Sequence, residues 1–89
     1  MTSVRFLWDE KKNAELQSRD RPSFEEVLEA IAEFGVLHEG PNPIHKKQRI
    51  FVVNIRNYPH IVPHEVRGNT LWLIAVFPSR KYKGLYEKV

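Results

Sequence analysis

Gly35 divides this chain into two hydropathy codes. Upstream, Phe24, Val27, Leu28, Ile31 and Phe34 recur at helical spacing, which places them on one face of an amphipathic helix. Downstream, Ile50–Ile55 and Thr70–Phe77 are apolar on successive residues, the mark of strands buried on both faces. A helix that stops where strands joined by tight turns begin points to an α+β domain. The expected architecture is a small antiparallel sheet with two helices covering one side. The chain has 89 residues and no cysteine. That makes one domain, residues 1–89, without disulfides and without thiol chemistry.

The order of elements follows from local signals. Val4, Phe6 and Trp8 alternate as in a half-buried strand. Asp9 is placed to cap a helix running to about Arg19, with Leu16 as its main apolar anchor and the stems of Lys12 and Arg19 packing beside it. Ser23-Phe24-Glu25-Glu26 is a capping box, and Gly35 suits the turn that ends the second helix. Val36–Glu39 reads as a short strand and residues 40–43 as a loop. Ile50–Ile55 is a central strand, Arg56-Asn57 a two-residue turn, and Tyr58–Val66 the returning strand. Pro59 and Pro63 cannot donate to a ladder, so that strand is expected at an edge, or bulged. Thr70–Phe77 is a second buried strand, closed by Pro78-Ser79. Residues 80–86 form a basic tail, with Ser79 placed to cap a helical turn. The expected order is thus β-α-α-β-β-β-β.

The charge is unevenly spread. Residues 1–40 carry five Lys/Arg and nine Asp/Glu, and residues 41–89 carry nine and two, so −4 and +7 make the net +3. Much of the acid decorates the second helix. The basic half suits an anionic partner. No apolar run approaches the roughly 20 residues of a membrane span, and the first ten residues lack the apolar stretch of a secretory signal. The expectation is a cytoplasmic protein with no membrane partner.

Three stretches, in order, resemble one family. Phe6-Leu7-Trp8-Asp9-Glu10-Lys11-Lys12-Asn13 is similar to the F-x-W-D-x-x-K-N opening of BrnT-type toxins from bacterial toxin–antitoxin pairs. Ser23-Phe24-Glu25-Glu26-Val27 resembles their S-F-E-E-V/A helix start, and Pro78-Ser79-Arg80-Lys81 the motif that ends their last strand. Many members carry Lys-His-Gly before the second helix, where this chain has Arg19-Asp20-Arg21-Pro22, so a role of that histidine does not carry over. The resemblance implies a RelE-like fold and a toxin of a type II toxin–antitoxin system that stops growth by cutting RNA. It also implies neutralisation by a ribbon-helix-helix antitoxin, with operator DNA contacted only through that antitoxin.

RNA cleavage without a metal needs a base for the ribose 2′-OH, an acid for the leaving 5′-oxygen, and cations for the charge growing on phosphorus. Arg80 and Lys81 are the first candidates, because they follow a buried strand and lie in the family-like motif. Arg49 opens the central strand after His45, Lys46, Lys47 and Gln48. This basic run suits a phosphate backbone, and an exposed His45 titrates near neutrality as base or acid. Tyr82 and Tyr86, four residues apart beside Lys83, either stack on bases or pack the tail onto the sheet. His60 and His64 share a strand face roughly 13 Å apart, too far to ligate one metal. They read as a polar edge face. Neither a metal site nor a cofactor is expected. The alternative is a non-catalytic module that binds RNA or a protein through the same basic face.

Overall fold

The computed structural model describes residues 4–86, and the side chains of residues 4–83. The chain opens with β1 (Arg5–Trp8), then α1 (Glu10–Ser18) and α2 (Phe24–Phe34). The sheet continues through β2 (His38–Pro41), β3 (Arg49–Ile55), β4 (Tyr58–Arg67), β5 (Thr70–Leu73) and β6 (Phe77–Pro78), and α3 (Arg80–Tyr86) follows. The molecule is a small α+β protein with a mixed sheet in the order β1-β5-β4-β3-β2, with β6 also on β4.

Each helix starts where its sequence provides a cap. Asp9 accepts from the Lys11 N–H. Ser23 and Glu26 complete both halves of the capping box, satisfying donors that the first turn leaves free. Gly35 ends α2 at φ +77° with its N–H on the Ile31 carbonyl. The β3–β4 turn takes positive φ at both Arg56 and Asn57, the conformation that matches strand twist in a two-residue hairpin. The Arg56 guanidinium then reaches Glu26 at 3.0 Å, which ties the hairpin tip to the first turn of α2.

Alternation along β3 assigns the two faces. Phe51, Val53 and Ile55 join Leu16, Phe24, Val27, Ala30, Val62, Leu73 and Val76 in one core under α1 and α2. Ile50 and Val52 are buried on the other face. There α3 lies against β4, and the Tyr82 ring sits 5.7 Å from His38, the register partner of Val52.

Four expectations are corrected. The sheet is not purely antiparallel, because β1 runs parallel to β5. No hairpin joins those two strands, so no turn fixes their relative direction. The helical turn expected of the tail forms as α3, but on the face opposite the first two helices, so the helices do not cover one side alone. The short second strand is His38–Pro41 rather than Val36–Glu39. The proline-bearing strand β4 is interior, paired with β3 on one side and with β5 and β6 on the other.

The last correction has a physical reason. The Pro63 carbonyl accepts from Ile74 and the Pro59 carbonyl from Ser79, so both prolines turn their missing N–H toward β5 and β6. On that side the ladder is broken. From Leu73–His64 to Phe77–Ile61 the outer strand takes four steps against three in β4, which is a β-bulge. The bulge splits the expected Thr70–Phe77 strand in two and falls where the prolines have no proton to offer.

Candidate functional site

The motif residues of the N-terminal half are joined to one another. The Trp8 ring lies 5.7 Å from Phe24 at an interplanar angle of 31°, and its indole N–H donates to Glu10. Asn13 is buried. Its carbonyl oxygen accepts the Phe24 N–H at 2.8 Å and its amide donates to Glu25 at 2.7 Å. That amide, with further hydrogen bonds, lowers the Glu25 carboxyl from its ordinary value. For Glu26, burial pushes upward, but the hydrogen bonds from Arg56 and the Ser23 N–H, with the Arg56 charge, bring the net shift down. These polar groups interlock β1, α1 and the start of α2.

The cations expected at the site are divided between the two faces. Arg49 lies by register on the face of Phe51 and Val53, and its guanidinium is held in a fork by Glu39, with Nη2 to Oε1 at 2.8 Å. That hydrogen bond lowers the Glu39 carboxyl and raises the Arg49 guanidinium. His45, Lys46 and Lys47 are exposed in the loop between β2 and β3, where Asn42 receives the N–H groups of Ile44 and His45. Arg80 and Lys81 open α3, both exposed. Lys81 lies over the Tyr82 ring at 5.6 Å and Lys83 over Tyr58 at 5.5 Å. Tyr82 faces His38 on the sheet side opposite the Arg49 fork. The side chain of Tyr86 lies outside the described residues. The structure thus gathers Arg80, Lys81, Tyr82 and Lys83 on one short helix and does not bring Arg49 to them.

The histidines of β4 are not a polar edge. His60 and His64 are 6% and 1% exposed, and His64 stacks on Phe51 at 4.0 Å. Each Nδ1 meets a carbonyl two residues back, Tyr58 and Val62 respectively. A carbonyl only accepts, so Nδ1 carries the hydrogen in each ring. Burial is the main cause that lowers both pKa values. Among the described residues no three His, Asp or Glu side chains converge as metal ligands, and no helix is long and apolar enough to cross a membrane.

One cationic cluster lies outside the expected set. Lys12, Glu15, Leu16, Arg19, Arg21, Ala75, Val76 and Phe77 line a cavity of about 170 Å³. Lys12, Glu15, Leu16 and Arg19 follow i, i+3, i+4, i+7 spacing along α1, so the helical period could have placed them together. The far wall is the bulged segment, which no periodicity marks. No protein-family model matches the chain, and comparisons with curated proteins and with solved structures find no match.

Proposed function

We propose that this chain is a toxin of a type II toxin–antitoxin pair, BrnT-like and RelE-like in fold, that cuts RNA without a metal ion in the cytoplasm. A ribbon-helix-helix antitoxin would neutralise it and carry any contact with operator DNA. The observation that carries this reading is that residues of the first two motifs meet. Trp8 packs on Phe24, and Asn13 binds the backbone of Phe24 and the side chain of Glu25. The first two of the three stretches that resemble one family are thereby joined in one physical unit.

In the proposed reaction the ribose 2′-oxygen attacks the neighbouring phosphorus and the 5′-oxygen leaves, giving a cyclic phosphate and a free 5′-hydroxyl. A base takes the 2′ proton and an acid supplies one to the 5′-oxygen. Arg80 and Lys81 would bind the phosphate oxygens as charge grows there. Tyr82 and Tyr86 are the aromatic residues that would stack on bases beside them. His45 is the exposed imidazole available as acid or base, with Lys46 and Lys47 beside it for the backbone. Arg49 is the weaker candidate, because Glu39 fills its fork.

The second reading, a non-catalytic RNA- or protein-binding module, draws support from the histidines. His60 and His64 are buried, and burial lowers their pKa values, which makes both poor candidates for an exposed general acid. The test is RNA cleavage in excess chelator by the wild-type chain and by Arg80→Ala/Lys81→Ala. The proposal expects products ending in cyclic phosphate and a fall of about 100-fold in the variant. Cleavage that survives both substitutions rejects the site. Binding without cleavage favours the module.

A further inference from the structure

We propose that the cavity between α1 and the bulged strand is a binding site for a phosphate ester of a nucleotide. Its rim is cationic: Lys12 from the first turn of α1, Arg19 from its C-cap, and Arg21 from the turn that follows. Among the described residues no carboxylate lies within ion-pair distance of any of the three, although Glu15 also lines the cavity. Three cations against one carboxylate leave an excess of positive charge.

The turn that presents the arginines is fixed rather than loose. The N–H groups of Arg19 and Arg21 both reach the Leu16 carbonyl, and Asp20 takes φ +56° between them. The C-terminal end of α1 also favours positive charge nearby. That accounts for cations at this position, but it does not account for a cavity beneath them. The cavity arises on the other wall. Because β1 pairs with β5 only as far as Leu73, the bulged residues after it have no strand on their outer side. Ala75, Val76 and Phe77 therefore form an apolar floor against Leu16.

Charge above an apolar floor selects the ligand class. Two guanidinium forks and an ammonium match the oxygens of a phosphate, and the Phe77 ring offers a flat surface to a sugar or base. A volume of about 170 Å³ is below the roughly 300–1,000 Å³ of sites that enclose a whole drug-sized ligand. The site thus holds the phosphate and leaves the rest of the nucleotide at the rim. This inference does not require that RNA be cut anywhere on the protein.

The test is a titration of the folded chain, followed by amide resonances, with five probes: inorganic phosphate, adenosine 5′-monophosphate, adenosine, and an RNA octamer with and without a 5′-phosphate. The expected result is a saturable shift of residues 15–21 and 75–77 with the monophosphate and none with adenosine. A preference for the 5′-phosphorylated octamer assigns a terminal phosphate; equal binding of both octamers assigns an internal phosphodiester. Arg19→Gln/Arg21→Gln should weaken the monophosphate at least about tenfold, whereas Arg19→Lys/Arg21→Lys should retain part of it. Arg19 and Arg21 are both exposed, so unchanged melting checks that the variants fold. Shifts confined to residues 80–83, or equal binding by the Gln variant, would overturn the proposal.

Discussion

Two groups of arginines on this protein differ in what they touch. Arg49, Arg56 and Arg67 belong to the β2–β3–β4–β5 region, and each is paired with a carboxylate: Glu39, Glu26 and Glu65. Arg19, Arg21 and Arg80, with Lys12 and Lys81, belong to helix ends and turns. Among the described residues they have no carboxylate within ion-pair distance. A count by halves of the sequence puts the basic surface after residue 40, but pairing redistributes it. Much of the sheet's charge is internally answered, and part of the N-terminal half's charge is free. Free cations offer an anion their full field, whereas a paired one must first give up its partner.

The largest expected effect separates the groups directly. Arg80→Ala/Lys81→Ala should lower RNA turnover by about 100-fold while the melting temperature stays within a degree or two, since both side chains are exposed. A loss of folding instead would place these residues with the paired set. Next is Asn13→Ala, which belongs to the interlock and not to any anion site. It leaves the Phe24 N–H without its buried acceptor, at a cost of about 1–3 kcal/mol. Thermal unfolding should show it with RNA affinity unchanged at a temperature where the variant is folded.

A pH titration gives the third test. His60 and His64 have lowered pKa values in the folded chain, so the unfolded state binds more protons as pH falls through the ordinary value of about 6.5. Their stabilising contribution is full above that pH and is lost on acidification, by as much as about 1.4 kcal/mol per pH unit for each histidine. His64 faces Phe51, Glu39 and Arg49, and His60 faces Tyr58, Glu26 and Arg56. Glu25, Glu26 and Glu39 are lowered instead, so their contribution persists to more acid pH than the histidines'. Denaturant melts between pH 7.5 and 5 should weaken, and His60→Asn/His64→Asn should flatten that slope. The smallest effect is expected of Arg49→Ala and Arg67→Ala, which should change RNA affinity less than about threefold, because each removes a surface pair more than a free charge.

What the sequence disclosed was local. The Asp9 cap, the Ser23–Glu26 box, the end at Gly35 and the Arg56-Asn57 turn each depend on neighbours a few residues away, and each is found as expected. The misplacements are of longer range. Pro59 and Pro63 tell that a ladder is broken but not on which side; the bulge that accommodates them lies in another strand. The direction of β1 is set by pairing across more than 60 residues. Asn13 looks like one more polar residue on a poor amphipathic helix, and its burial depends on the arrival of Phe24. For the same reason Arg49 reads as a free cation until Glu39 is brought beside it on β2. Lys12 and Arg19 read as stems that pack, because the floor of their cavity comes from the far end of the chain.

The central claim is that unpaired cations, not the paired arginines of the sheet, meet the anion. The salt dependence of single-stranded RNA binding tests it most directly, since the slope of log affinity against log salt falls by about 0.7 for each phosphate that the protein no longer neutralises. The account predicts that Arg80→Ala/Lys81→Ala lowers the slope by about 1.4, while Arg49→Ala/Arg67→Ala leaves it unchanged. A slope reduced by the sheet pair and untouched by the helix pair would contradict it.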